Sequence, residues 1–402
     1  MRILFLTDNF PPEVNAPASR TYEHASRWVK AGAHVTVITC APNFPQGRVY
    51  PGYRNRRSRE TMDGIEVIRV KTYMAPNAGF ARRVLDYLSF AAASFFAGLG
   101  READVIIATS PQFFTTWSGR ALSLVKRKPW IFELRDIWPE SIAAVGAGGG
   151  ATMRLLERIE LRLYRSAARV VAVSPAFKDN LVGRGIDPAK IEIVTNGVDL
   201  DLWRPRPRDE ALRAELGLEG KFVIAYVGTM GMAHGLDFIL RAAAGIEDPK
   251  IHFLFVGDGS EAGALKAQAA AAGLTNVTFH PPVARAEVPR FIAAADAALV
   301  PLKRADTFKA VIPSKIFEAA AMRRPILLGV EGQAAAIVGG HGAGIAYTPE
   351  DEQSFNAAVL RLASDRDFYE ELQAGCAELA EAYDRDRLAA RMLEIVAEVA
   401  RG

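Results

Sequence analysis

The sequence predicts an α/β protein made of two doubly wound, Rossmann-like domains facing a central cleft. Three observations predict it. Short, near-continuous apolar runs alternate with helical stretches along the whole chain, the pattern of parallel strands covered on both faces. The runs fall into seven and then six, divided by a Pro- and Arg-rich segment at 196–208. A length of 402 residues suffices for two cores of ordinary size.

In the first half the predicted strands are Arg2–Asp8, His34–Cys40, Ile65–Lys71, Asp104–Ser110, Trp130–Asp136, Arg169–Ser174 and Lys190–Asn196. In the second they are Phe222–Gly228, Ile251–Gly257, Val277–His280, Ala297–Leu302, Pro325–Val330 and Gly344–Pro349. Asn196-Gly197 signals a turn, and Trp203-Arg204-Pro205-Arg206-Pro207 reads as a stiff linker. The expected domains are therefore 1–200 and 201–384. A final helix over 385–402 has no partner readable from sequence, and crossing back to the first domain is one option. Ligands of such folds sit at the carboxyl ends of strands, so two facing domains would create one deep cleft for two substrates.

Half the residues are hydrophobic and 24% charged, a profile of globular cores. Cys40 and Cys376, the two cysteines, lie far apart and build neither a disulfide framework nor a zinc cluster, which favours a reducing, cytoplasmic setting. Residues 1–12 read as a strand and loop rather than a cleavable leader, and no run of 18 apolar residues suggests a membrane span. Residues 1–200 hold 27 Lys+Arg against 18 Asp+Glu, while the remainder holds 22 against 28. A basic first half suits an anionic ligand or surface; no nucleic-acid partner is expected.

The most informative stretch is 312–327. Pro313 is expected to open a helix after the strand Ala297–Leu302, because proline tolerates a first helical turn. Such a turn presents free N–H groups that favour phosphate, and Lys315 adds a full charge. Glu318, one turn in, can accept hydrogen bonds from ribose hydroxyls. Together these describe a nucleotide-sugar site. The turn around Gly228, Thr229 and Gly231 lets backbone amides approach a diphosphate, and His234 offers one more donor. The Gly-x-Gly-x-x-Gly fingerprint is absent, and a tight connection would look the same. Val283 and Ala284, after the strand Val277–His280, are candidates to read a base edge, or form a plain strand–helix turn.

In the first half, Arg135-Asp136-Ile137-Trp138-Pro139-Glu140 ends a strand. Three charges and a tryptophan there suit a cleft, with Asp136 orienting the acceptor hydroxyl or taking its proton and Arg135 pairing with it or with phosphate. A salt-bridged turn is the alternative. Asn15 and Arg20, with Trp138 and Glu140, are candidate acceptor or phosphate contacts. Arg54, Arg56, Arg57 and Arg59 are expected in a mobile loop, and Arg82-Arg83 precede an apolar helix over 84–99. Basic residues beside such a helix suit an anionic membrane surface, a solvated loop and buried helix being the alternative. Histidines do not cluster and the Asp-x-Asp pairs end no core strand, so no metal and no cofactor is expected.

With Pro11-Pro12-Glu13, Arg20, Pro42–Gly47, Arg135–Glu140, Asn196–Asp199, Val256–Gly259 and Pro313–Lys315 ahead of Glu318, nearly the whole chain resembles a GT-B glycosyltransferase of retaining family 4. It is most similar to bacterial O-antigen and capsule enzymes such as N-acetyl-L-fucosamine transferases. The resemblance implies a UDP-sugar co-substrate in the second domain, with Glu318 on the ribose and Lys315 and Gly228–Gly231 at the diphosphate. It implies metal-free transfer with retained configuration to an undecaprenyl-diphosphate-linked glycan, on the inner face of the cytoplasmic membrane. The chain departs from the family in carrying Ala310 where a second glutamate often stands, and Thr229 and His234 where Arg and Lys are common. A UDP-sugar 2-epimerase, which shares the two-domain plan, is the alternative enzyme; a non-catalytic nucleotide-sugar or membrane binder is the alternative outside enzymes.

Overall fold

The computed structural model describes residues 1–13, 15–44, 47–74, 80–110, 112–137 and 151–402. Trp138 and Glu140 lie outside the described residues. The chain forms two compact units, Met1–Asn196 with Arg385–Gly402, and Gly197–Asp384. Each is a Rossmann-like layer sandwich, as the alternating pattern predicts.

Unit 1 contains β1 (Arg2–Leu6), α1 (Ala16–Lys30), β2 (His34–Cys40), β3 (Ser58–Met62), β4 (Ile65–Val70), α2 (Phe80–Leu99), β5 (Val105–Thr109) and α3 (Phe113–Lys126). It continues with β6 (Trp130–Leu134), α4 (Ala151–Ser166), β7 (Arg169–Ala172), α5 (Pro175–Gly183) and β8 (Ile191–Ile193). The sheet runs β3-β4-β2-β1-β5-β6-β7-β8. Successive residues of a strand serve opposite faces. Leu4, Leu6, Ile106 and Ala108 meet Phe90, Phe113 and Leu122 of α2 and α3. Ile3, Phe5, Val105 and Ile107 meet Trp28 of α1 on the other face.

One expectation changes here, and one that stood open is decided. The arginine-rich segment is not a loop throughout: Arg59 lies in β3, an antiparallel edge strand paired to β4, and bonds Glu66 at 2.7 Å. The last helix, α14 (Arg385–Arg401) in the numbering below, belongs to unit 1. Its Met392, Ile395, Val396 and Val399 are buried in the same core as Trp28, whose Nε1–H donates to the Ala389 carbonyl at 2.9 Å.

Unit 2 contains α6 (Glu210–Glu215), β9 (Phe222–Val227), α7 (Leu236–Ala244), β10 (Ile251–Val256), α8 (Ala262–Ala271), β11 (Val277–His280), α9 (Val288–Ala294) and β12 (Ala297–Pro301). Then follow α10 (Lys315–Ala321), β13 (Ile326–Gly329), α11 (Gln333–Gly340), β14 (Gly344–Ala346), α12 (Glu352–Ser364) and α13 (Arg366–Ala382). Its sheet, β11-β10-β9-β12-β13-β14, is parallel throughout. The segment after Asn196 is not a free linker. Val198 N–H bonds the Tyr383 carbonyl at 2.9 Å, and Trp203 is buried against this unit's core.

Candidate active site

In an open parallel sheet the chain leaves opposite faces on either side of the strand where the order reverses, and the loops diverge there into a crevice. In unit 2 that point lies between β9 and β12, which pair directly. The loop after β9 carries Gly228, Thr229, Gly231 and His234, and the segment after β12 leads to Lys315 and Glu318. Strand topology therefore gathers the residues that sequence reasoning assigned to the donor.

The turn is close-packed. Gly228 has φ +144°, and a Cβ there would come within 2.5 Å of Lys315 Nζ. Gly257, just past β10 with φ +142°, would put a Cβ onto the Gly228 carbonyl oxygen. Both positions need glycine, one for conformation and contact with a side chain, the other for contact with backbone. Gly228 N–H bonds the Val256 carbonyl and Met230 N–H the Asp258 carbonyl, each at 2.8 Å, so the first two strands hold the loop rigidly.

Lys315 reaches across this turn. Its Nζ lies 3.9 Å from the centre of the Tyr226 ring, a favourable cation–π geometry. The ammonium is buried and has no hydrogen-bond acceptor among the described residues. Burial pushes its pKa down to about 8, partly opposed by the Glu318 carboxylate. A small cavity of about 20 Å³, lined by Ala225, Val227, Leu299, Lys315, Glu318 and Ala319, lies behind it, with room for about one water.

The helix itself differs from expectation. It begins at Lys315, not Pro313, and is seven residues long. Ile316 N–H bonds the Pro313 carbonyl, and Phe317 and Glu318 N–H bond that of Ser314. With these three amides engaged few face outward, so most positive charge here resides on Lys315. Pro313 and Ser314 act as the lead-in to the turn. Glu318 is half-buried one turn along.

His234 is half-buried beside Tyr226, ring centres 5.8 Å apart. Burial, then the Lys315 charge, lower its pKa, so it is neutral at pH 7. Its Nδ1 sits 3.2 Å from the Gly231 carbonyl oxygen, which only an N–H can satisfy. That tautomer leaves Nε2 an acceptor, so a phosphate-donor role for His234 requires the imidazolium form. The backbone of Lys303 runs beside this loop, its N–H bonding the Ala233 carbonyl at 2.9 Å. Its Cγ would meet a Cβ on Gly235 at 3.2 Å. Val283 is half-buried and Ala284 exposed, after β11 at the same edge of the sheet.

In unit 1 the order reverses between β1 and β5. Ser110, just past β5, accepts from Arg135 N–H at 2.8 Å and Asp136 N–H at 3.2 Å, fixing the turn after β6. Burial brings the Arg135 guanidinium down to about 10 despite the Glu133 carboxylate, and its Nη1 has no acceptor among the described residues. Asp136 is half-buried. Asp8, which sequence reasoning passed over as the end of a strand, belongs to this group. Burial pushes it up to about 7, with Glu13 and Asp86 adding to the rise and an Asn9 hydrogen bond opposing it.

Two expected contacts have other tasks. Asn15 caps α1, its Oδ1 accepting from Ala18 N–H at 2.9 Å while Nδ2 donates to Asn9 at 2.6 Å. Arg20 is buried and ties β6 to the segment after β8: Nε donates to Glu133 at 2.9 Å, Nη1 to the Thr195 carbonyl at 2.6 Å and Nη2 to the Val194 carbonyl at 2.8 Å. With those donors engaged it is an internal clamp, not a charge for a ligand. The Asp-x-Asp pairs also have local uses, Asp365 capping α13 at 3.1 Å and Asp199 accepting from Asp201 N–H at 3.0 Å. Among the described residues no group of three or more His, Cys, Asp or Glu could hold a metal ion.

Comparison with known proteins adds to this geometry. Residues 15–197 match a glycosyl transferase 4-like domain, and residues 221–365 match the domain of glycosyl transferases group 1. Over 327 residues the chain is 26% identical to WcaI of Escherichia coli (strain K12), named as a colanic acid biosynthesis glycosyl transferase, covering 79% of this chain and 80% of that one. The solved structure of Anabaena Alr3699/HepE in complex with UDP superposes with a TM-score of 0.72 at 20% identity, over 99% of this chain and 100% of that one. WaaG, a glycosyltransferase involved in lipopolysaccharide biosynthesis, does so at 0.67 and 16%, over 98% and 99%. At such identities the likeness to solved structures speaks for the fold.

Proposed function

This chain is a glycosyltransferase of the two-domain GT-B type, and from that premise we propose that it moves a sugar from a UDP-sugar to an undecaprenyl-diphosphate-linked glycan. The alternative of a 2-epimerase is dropped with that premise. The observation that carries the proposal is the buried Lys315 ammonium, without a hydrogen-bond acceptor in its own unit, against the Gly228 turn where β9 and β12 diverge. A buried cation is costly unless something pairs with it, and a diphosphate would supply the missing acceptors. HepE has been solved with UDP and with UDP-glucose, which supports UDP as the nucleotide.

Lys315 and the turn's amides would meet the negative charge that builds on the leaving diphosphate as the bond from the sugar's anomeric carbon to phosphate oxygen breaks. Glu318 would accept from the ribose hydroxyls, and Val283 or Ala284 would meet the base. On the acceptor side, Asp136 and Arg135 would orient the attacking hydroxyl, with Asp8 beside them. The acceptor oxygen bonds the anomeric carbon on the face the diphosphate leaves, and its proton passes to a diphosphate oxygen. Charge neutralisation by side chains lets this proceed without a metal. The resemblance to N-acetyl-L-fucosamine transferases supports an N-acetylated deoxyhexosamine as the sugar. WcaI and WaaG, by their names, support a role in cell-surface polysaccharide synthesis; the lipid-linked acceptor proposed above would put the enzyme on the inner face of the cytoplasmic membrane.

Replacement of Lys315 tests the proposal. K315A lowers kcat/KM for UDP-sugar by about 10²–10³-fold, the size of one lost transition-state donor, and K315R recovers part of it. Wild-type kinetics in K315A would overturn the assignment.

A further inference from the structure

We propose that the outward face of α2, continued by the end of α3, is a docking surface for an anionic lipid bilayer. Among the described side chains of α2, those that face solvent are Arg82, Leu85, Leu88, Ala92, Phe96 and Leu99. From Leu85 onward they recur at spacings of three, four, four and three, one stripe of a helix. After Arg82 the stripe holds no charge, although Phe96 is 70% exposed and Leu85 56%. An uncharged stripe is the reverse of what an outer helix normally presents to water.

The opposite side of α2 is already occupied. Phe90 is buried, Ser94 Oγ bonds Ser118 Oγ of α3 at 3.0 Å, and a Cβ on Gly98 would collide with Leu122. The stripe is therefore surplus to the fold, and α3 extends it. Lys126 Nζ donates to the carbonyls of Leu99 and Arg101 at 2.8 and 2.6 Å, which sets the end of α3 beside the end of α2. There Leu124 and Val125 are 59% and 62% exposed, followed by exposed Arg127 and Lys128. Cations thus stand at both ends, Arg82 at one and Arg127 with Lys128 at the other. The nearby acid Glu102 is paired with Arg2.

An apolar stripe bracketed by basic residues fits a layer of hydrocarbon beneath anionic headgroups. It does not fit a crossing segment: no helix among the described residues is long and apolar enough to span a membrane. The parallel crossover from β4 to β5 starts α2 at the carboxyl edge of the sheet, the edge that bears Asp8, Ser110 and Arg135. A bilayer on this face would reach the acceptor edge of unit 1, where a lipid-linked substrate is needed. This deepens the proposed acceptor and rests on it for its purpose, but vesicle binding is measurable without any acceptor.

Co-sedimentation of the full chain with phosphatidylcholine vesicles containing about one third phosphatidylglycerol is the test, since each Lys or Arg near such a surface adds about fivefold. Binding is expected to the mixed vesicles, to weaken with salt, and to be absent from phosphatidylcholine alone. L85E/F96E should reduce it at least tenfold and R127E/K128E at least about 25-fold, with unchanged turnover on a detergent-solubilised acceptor. L124E/V125E on α3 gives an independent check should the α2 variant melt early. Equal binding of the wild type and both apolar-face variants overturns the inference. So does a dimer in sedimentation velocity that L85E/F96E dissociates without any wild-type vesicle binding, which would make a second copy the occupant. Vesicle binding without transfer to any lipid-linked acceptor would instead overturn the proposed acceptor and leave the docking surface standing.

Discussion

Lys315 and Arg20 are both buried cations, and their surroundings give them opposite tasks. Lys315 has no hydrogen-bond acceptor among the described residues, and burial holds its pKa down to about 8. Above that pH the free enzyme carries largely neutral lysine. A bound diphosphate favours the charged form and pulls the pKa back up. UDP binding at pH 9 is therefore expected to take up close to one proton, measured by calorimetry in buffers of differing ionisation enthalpy. K315M should abolish the uptake, and equal enthalpies in every buffer would refute the assignment. Arg20 instead bonds Glu133 and two carbonyls. R20A would leave the buried Glu133 carboxylate with the Arg135 charge but without its guanidinium hydrogen bond, its Oε2 already having no hydrogen-bond partner among the described residues. The expected loss is about 3–5 kcal/mol of stability, read by denaturant unfolding. Substrate KM values should stay near wild type in the folded fraction; a raised KM at wild-type stability would return Arg20 to the list of ligand contacts. Sequence could not separate these cases, because Arg20's partner stands 113 residues away while Lys315 lies in a segment whose neighbours follow from strand order alone.

At the scale of elements, the β9 and β10 turns distinguish structural from functional glycines. A Cβ at Gly257 meets the backbone of Gly228, which cannot move without breaking the ladder; at Gly228 it meets the tip of Lys315, a flexible side chain. Both carry backbone conformations unfavourable to other residues, worth about 1–3 kcal/mol each. G257A is expected to lower the melting temperature further than G228A. G228A should cost more activity than stability, because it displaces the lysine. Thermal unfolding and kinetics on the same two variants decide it, and the reverse ranking would count against the Gly228–Lys315 contact. The parallel strands were legible because their apolar runs are nearly uninterrupted. The strand Ser58–Met62 was not, since an edge strand of the sequence Ser-Arg-Glu-Thr-Met needs no buried face. The site helix was over-read: Pro313 permits a helical start but does not oblige one, and the helix forms two residues later.

For the molecule as a whole, the division into units departs from chain order. Unit 1 is closed by its remote segment Arg385–Gly402, which no local pattern reveals, because its partners Val194 and Trp28 lie half and most of a chain length away. Amphipathicity could predict that this helix packs, but not where. Burial of Met392, Ile395, Val396 and Val399 is worth roughly 1.5–3 kcal/mol apiece, together comparable with the whole stability of a domain, about 5–15 kcal/mol. Truncation after Asp384 should thus abolish cooperative melting of unit 1 and leave that of unit 2, seen as loss of one of two calorimetric transitions. Two intact transitions would show the helix to be dispensable.

The same arrangement bears on how the protein is made. A nascent chain usually completes its leading domain first, at about 5–20 residues per second. Here the ribosome must finish everything through Asp384 before the piece that seals the leading sheet emerges, a wait on the order of tens of seconds. Throughout it, the part of that face left uncovered by α1 is an adhesive surface in the cell, and the trailing domain, encoded later, reaches its native form ahead of it.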